Sequence, residues 1–243
     1  VGGNFSATAT LGDLIDSGTA TVGGTTSLTT SQATKTITAN QLASTGAVDV
    51  HTNGAGSDAT IVNASALDLA ASTVGRNLSA TATLGDLTDS GTITVGGTTS
   101  LTTSAANATI LANQLASTGA VDVHTNGATA DATIVNATAL DIATSAVGRN
   151  FSATATLGNL TDSGTATVGG TTSLTTSQST KTIVADLLAS TGAVDVHTNG
   201  AGSHATIVNA SALDIATSGV GGNFSATATL GDLIDSGTAT VGG

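Results

Sequence analysis

The 73 residues VGGNFSATATLGDLIDSGTATVGGTTSLTTSQATKTITANQLASTGAVDVHTNGAGSDATIVNASALDLAAST (Val1–Thr73) decide how this chain folds. The same string returns with few changes at Val74 and Val147 and starts again at Val220, so the spacing is 73 residues each time without insertion or deletion. A constant period of this length marks a solenoid, in which each repeat buries its apolar face against its neighbours. The chain therefore divides into repeats 1–73, 74–146 and 147–219 and a partial repeat 220–243, all within one unit spanning 1–243.

Within a repeat the period of hydrophobicity is two. Phe5, Ala7, Ala9 and Leu11 alternate with Ser6, Thr8 and Thr10, and Val48 and Val50 alternate with Asp49 and His51. Such alternation is that of half-buried strands, and Thr, Val and Ile favour a pleated surface. No segment carries a convincing helical period. Gly-Gly, Asn-Gly and Ser-Gly punctuate the strands and predict corners that use positive φ. The endings DLIDSGTATV, NQLASTGAV and ALDLAASTV suggest three coils per repeat: Val1–Thr21, Val22–Ala47 and Val48–Thr73. The expectation is an all-β parallel β-helix (β-solenoid) of about ten coils of about 24 residues. Three strands per coil give it a roughly triangular section.

Composition agrees with a narrow, regular interior. Phe5, Phe151 and Phe224 are the only aromatics, and Pro, Cys, Met, Trp and Tyr are absent. Ala, Val, Ile and Leu must then fill the core alone. Without Cys there is no disulfide, thiolate metal site or thiol nucleophile. The formal net charge is −12, with Lys35, Lys181, Arg76 and Arg149 as the only Lys or Arg residues. Four scattered cations make no phosphate-binding face, so nucleic acid is excluded as a partner class. No apolar run approaches the length of a membrane span, and no signal peptide is visible. VGGNFSATATLGDLIDSGTATVGG occurs identically as Val1–Gly24 and Val220–Gly243, which suggests an excerpt of a longer chain.

The strings VGGNFSATATLGDLIDSGTATVGGTTSLTT, VGRNLSATATLGDLTDSGTITVGGTTSLTT and ATIVNASALDLAASTVG resemble repeats of large bacterial surface exoproteins of the filamentous-haemagglutinin type. The resemblance implies secretion by a two-partner system and right-handed parallel β-helical fibres used in adhesion and biofilm matrix. It brings no catalytic residues with it.

Four residue sets are candidates for chemistry. His51, His124 and His197 each stand two residues after Asp49, Asp122 and Asp195, which puts each pair on one face of a strand. With matching positions a whole repeat apart, three such His cannot share one ion, and a duplicated surface pair is the simpler reading. Gly54-Ala55-Gly56-Ser57-Asp58 partly matches a calcium-binding nonapeptide that works only in tandem. Its copies decay: Gly56 becomes Thr129, and Asp58 becomes His204. Looser cation bridging among Asp13, Asp16, Asp86 and Asp89 is the alternative for the acidic residues. Thr8/Thr10, Thr19/Thr21, Thr36/Thr38 and Thr81/Thr83 form Thr-x-Thr sets like those of flat ice-binding faces, interrupted by Thr60/Val62.

Asn4, Asn77, Asn150 and Asn223 read as turn residues that hydrogen-bond backbone, and they also head Asn-x-Ser sequons. No carboxylate is singular enough for a glycosidase cleft, since each has a copy or a simple replacement such as Asn159 for Asp13. The expectation is no enzyme, no catalytic residues, no cofactor and no specific metal site. The chain is expected to be an extracellular structural rod, stalk or fibre of a bacterial surface protein, with itself as its main partner. The alternative is a binding module whose Thr-rich faces engage glycans or ice.

Overall fold

The computed structural model describes residues 1–243 as thirty β-strands with no helix. In the first repeat these are β1 (Phe5–Ala9), β2 (Leu14–Ile15), β3 (Ala20–Val22), β4 (Thr26–Ala33), β5 (Ile37–Ser44), β6 (Val48–Asn53), β7 (Ala59–Asn63), β8 (Leu67–Leu69) and β9 (Ser72–Val74). The next repeat opens with β10 (Leu78–Ala82). All pairing is parallel, between strands about one coil apart in sequence. Phe5 lies against Thr26, Thr26 against Val48 and Val48 against Leu69, steps of 21, 22 and 21 residues. The chain is a parallel β-solenoid of about 11 turns.

The cross-section departs from the triangular expectation. The strands form two sheets, of sixteen and fourteen strands, and the chain passes from one to the other at each corner. The first sheet takes β1, β4, β6 and the pair β8/β9; the second takes β2/β3, β5, β7 and β10. A repeat therefore makes seven passes of about ten residues, which is three and a half coils rather than three. The shared endings mislead because they follow the repeat, whereas the coil is set by the length of chain needed to cross each flat sheet and turn. The coil is nearer 21 residues than 24.

An odd number of passes has a geometric result. The strand that opens a repeat lies in the first sheet at Phe5 and in the second at Leu78. It returns to the first sheet at Phe151 and to the second at Phe224. Successive repeats are thus related by a half-turn about the rod axis and a rise of three and a half coils, about 17 Å at the usual strand spacing.

Inward residues from the two sheets meet in one continuous core of 46 residues. In β7, Ala59 and Ile61 point in while Thr60 and Val62 point out. The same alternation repeats in Ala132–Asn136 and Ala205–Asn209. Phe151 and Leu78 fill equivalent positions and are both buried. The interior also holds polar side chains at the corners. Asn63, Asn136 and Asn209 are fully buried.

Glycines at several corners answer to crowding, not to φ. A Cβ on Gly46 would lie 2.6 Å from the carbonyl carbon of Gly24 in the coil below, and Gly119 meets Gly97 in the same way. The Asn-Gly corners do use positive φ, with Gly54 at 88° and Gly127 at 93°.

Candidate functional site

The exposed side chains of each sheet stand in columns because parallel register keeps like positions above one another. On the first sheet one column runs Ser6, Ser27, Asp49 and its neighbour runs Thr8, Thr29, His51, Thr73. Three successive coils therefore present Ser-x-Thr, Ser-x-Thr and Asp-x-His. On the second sheet the same order appears as Ser79/Thr81, Ser100/Thr102 and Asp122/His124. The predicted Thr-x-Thr rows do not form. Thr10 and Thr83 lie beyond the ends of their strands, and an Asp-x-His closes each set.

The predicted Asp–His pairs do form. His51 Nε2 is 3.3 Å from Asp49 Oδ2, and His197 Nε2 is 3.2 Å from Asp195 Oδ2. In the middle repeat the separation between His124 and Asp122 is 3.9 Å. The hydroxyl of Ser27 donates to Asp49 Oδ2 at 3.1 Å, and Ser173 does the same to Asp195 at 3.2 Å. The half-turn between repeats places His51 and His197 on one sheet and His124 on the other. Nowhere do three His or Asp side chains converge on one point.

The glycine-rich motif is explained by a different partnership. Asp58 receives Nε of Arg76 at 2.7 Å, also meets Nη2, and accepts the Asn77 N–H at 3.0 Å. Asp131, Arg149 and Asn150 repeat this arrangement. The Arg76 guanidinium holds the Asp58 carboxyl below its ordinary range, and Arg149 does so for Asp131. In the third repeat His204 replaces the Asp and Gly222 replaces the Arg. His204 Nδ1 still accepts the Asn223 N–H, at 2.8 Å, while a Cβ on Gly222 would come within 2.6 Å of that ring nitrogen. The two changes are one structural exchange, and the sequence motif decays because its Asp serves an Arg.

The remaining corner carboxylates bind backbone. Asp13 accepts the Thr36 N–H at 2.9 Å, Asp86 accepts that of Thr109 at 2.7 Å, and Asn159 accepts that of Thr182 at 3.0 Å. Only an acceptor is required there, so Asn serves as well as Asp. Asp16 accepts both Asn40 and Gln41 N–H, at 3.1 and 2.7 Å. These two residues form a bulge, where the register of β5 shifts between Ala39 and Leu42. Asp89 and Asp162 hold the corresponding bulges at Asn113–Gln114 and Asp186–Leu187. Burial raises the carboxyl pKa of Asp89 and of Asp162 despite those bonds. The expected cation bridge from Asp13 and Asp16 to Asp86 and Asp89 does not assemble, because equivalent corners sit three and a half coils apart on opposite sheets.

Asn4, Asn77 and Asn150 hydrogen-bond backbone as predicted, accepting the N–H of Thr25, Thr98 and Thr171 at 3.0, 3.0 and 3.1 Å. Asn63, Asn136 and Asn209, which were not among the expected turn residues, bind backbone as well. Asn63 Oδ1 accepts the Ser44 N–H at 2.8 Å, and its Nδ2 donates to the carbonyls of Ser44 and Ala66 at 2.9 and 2.6 Å. The signal was present: this Asn falls in phase with inward-pointing Ala59 and Ile61.

These features define a class of protein: a two-sheeted parallel β-solenoid whose polar residues chiefly lock one coil to the next. Within that class the chain belongs to a repeat family described as "Repeats of unknown function (DUF5649)", which it matches over residues 56–128 and 129–186. It is also 33% identical over 247 residues to "Outer membrane protein A" of Rickettsia rickettsii. That alignment covers 94% of this chain and 10% of the relative's length. Neither of these matches is to a filamentous-haemagglutinin-type protein. No solved structure matches the chain. No helix in it is long and apolar enough to cross a membrane.

Proposed function

We propose that this chain is a length of extracellular rod in a large bacterial surface protein, with a mechanical and non-catalytic role. One observation carries the reading: parallel strand pairing links each coil to the next from Phe5 to Val241. About 11 coils at about 4.8 Å make a rod of about 55 Å. Its backbone is paired throughout, and its side-chain bonds tie each coil to its neighbour. The relative's name supports a location at the outer membrane or cell surface. The finer reading is a fibre used in adhesion or biofilm matrix, as in the filamentous-haemagglutinin type, with further copies or surface glycans as partners. On each sheet the Ser-x-Thr pairs run for only two successive coils before an Asp-x-His closes them, which counts against the alternative of an ice-binding face.

Cryo-electron tomography of intact cells labelled with antibody against this chain tests the proposal. Label on thin rods projecting from the outer surface is the expected result. Label confined to the cell interior, or to compact particles, overturns it.

A further inference from the structure

We propose that each Asp-x-His pair is a two-ligand seat for a zinc-like divalent cation, and that copies of this chain join face to face by sharing such ions. This goes beyond the mechanical role and stands on the geometry of the pairs. In a tetrahedral zinc site with bonds of about 2.0 Å, adjacent ligand atoms are about 3.3 Å apart. His51 Nε2 and Asp49 Oδ2 are 3.3 Å apart, and His197 Nε2 and Asp195 Oδ2 are 3.2 Å apart. Each pair thus already spans one edge of the tetrahedron. The imidazole offers the Nε2 lone pair when its proton is on Nδ1, and the mixed nitrogen–oxygen set suits zinc over magnesium or calcium.

The middle pair is wider, at 3.9 Å, and would have to close by about half an ångström to span the same edge.

Two ligands do not complete a zinc site, and one chain offers no third His or Asp at any of the three positions. The missing edge is supplied by the same pair on a second copy. The imidazoles are accessible for this, with side-chain exposures of 43, 40 and 43% for His51, His124 and His197. A chain of net charge −12 resists close approach to its own copies, and an ion held between the faces supplies positive charge between the facing carboxylates. Because the seats alternate between opposite sheets, bridging is open-ended: each chain can hold a neighbour on both sides.

Sedimentation velocity on the 243-residue chain tests this, comparing zinc with an excess of chelator. Zinc is expected to raise the mass to that of four or more chains, and chelator to reverse it. A His51→Gln/His197→Gln variant keeps a single seat and should stop at pairs. The triple variant with His124→Gln added should stay at its chelated mass. The proposal is overturned if zinc leaves the mass unchanged, if the triple variant grows as the parent does, or if magnesium acts equally well.

Discussion

At the scale of single residues, the corners carry more specificity than the core. Asn136 occupies a buried corner and bonds one N–H and two carbonyls, those of Ser117 and Ala139. Removing a partner from buried polar groups costs about 1–3 kcal/mol for each group stranded. Asn136→Ala is therefore expected to destabilise the fold by about 3 kcal/mol in denaturant unfolding, and Asn77→Ala, at an exposed corner, by about 1 kcal/mol. Thr34 and Thr180 stand at φ of 66° and 65°, a strained place for a β-branched residue, and the middle repeat has Asn107 there at 67°. Thr180→Asn should stabilise by about 1 kcal/mol, read in the same experiment. A destabilised Thr180→Asn would show that the threonine methyl or hydroxyl contributes more than the backbone strain costs.

At the scale of elements, two exchanges can be moved between repeats. Copying the third repeat's pair into the first, as Asp58→His with Arg76→Gly, should restore most of the thermal stability lost by Asp58→His alone. A double variant no better than the single would show that Arg76 does not depend on Asp58. The bulges give a pH dependence of known sign. The folded pKa of Asp89 and Asp162 lies above the unfolded value, so the folded state binds more protons in the window between the two. Stability then falls as pH rises through that window. The lowered pKa of Asp58 and Asp131 acts oppositely, giving stability above the unfolded value that is lost as pH falls through the folded one. Chemical denaturation from pH 7 down to 3 should show stability holding or rising slightly before it drops, and replacing Asp58 and Asp131 by Asn should remove part of that drop.

At the scale of the whole molecule, the period-two alternation and the 73-residue recurrence made the solenoid legible in the sequence. So were the Asp–His faces and the backbone-binding role of Asn4, Asn77 and Asn150. What remained hidden was the coil length. Val22, Val48 and Val74 each follow a small polar turn and look like the start of a coil, but 73 residues divide into seven short passes. Only the pairing of Val48 with Leu69, and of Leu67 with Leu87, reveals this. The polar corners were hidden for a related reason. A buried Asn differs from an exposed one by its phase within a strand, and phase depends on the coil. Helical reconstruction of long rods of this repeat should give a 4.8 Å coil spacing. Superposed on it should be a symmetry step of about 17 Å combined with a half-turn and the twist of the sheets. Three coils per repeat would instead give a step of about 14 Å with like faces aligned.

The seven-pass repeat also ties gene copy number to direction. Unequal recombination adds or removes whole 73-residue units with no penalty in register, because every junction is alike. One added unit lengthens the rod by about 17 Å and swings anything mounted beyond it to the opposite azimuth. Two added units lengthen it by twice that and bring the load back to its original heading. Parity, as much as length, becomes a heritable property of such a rod.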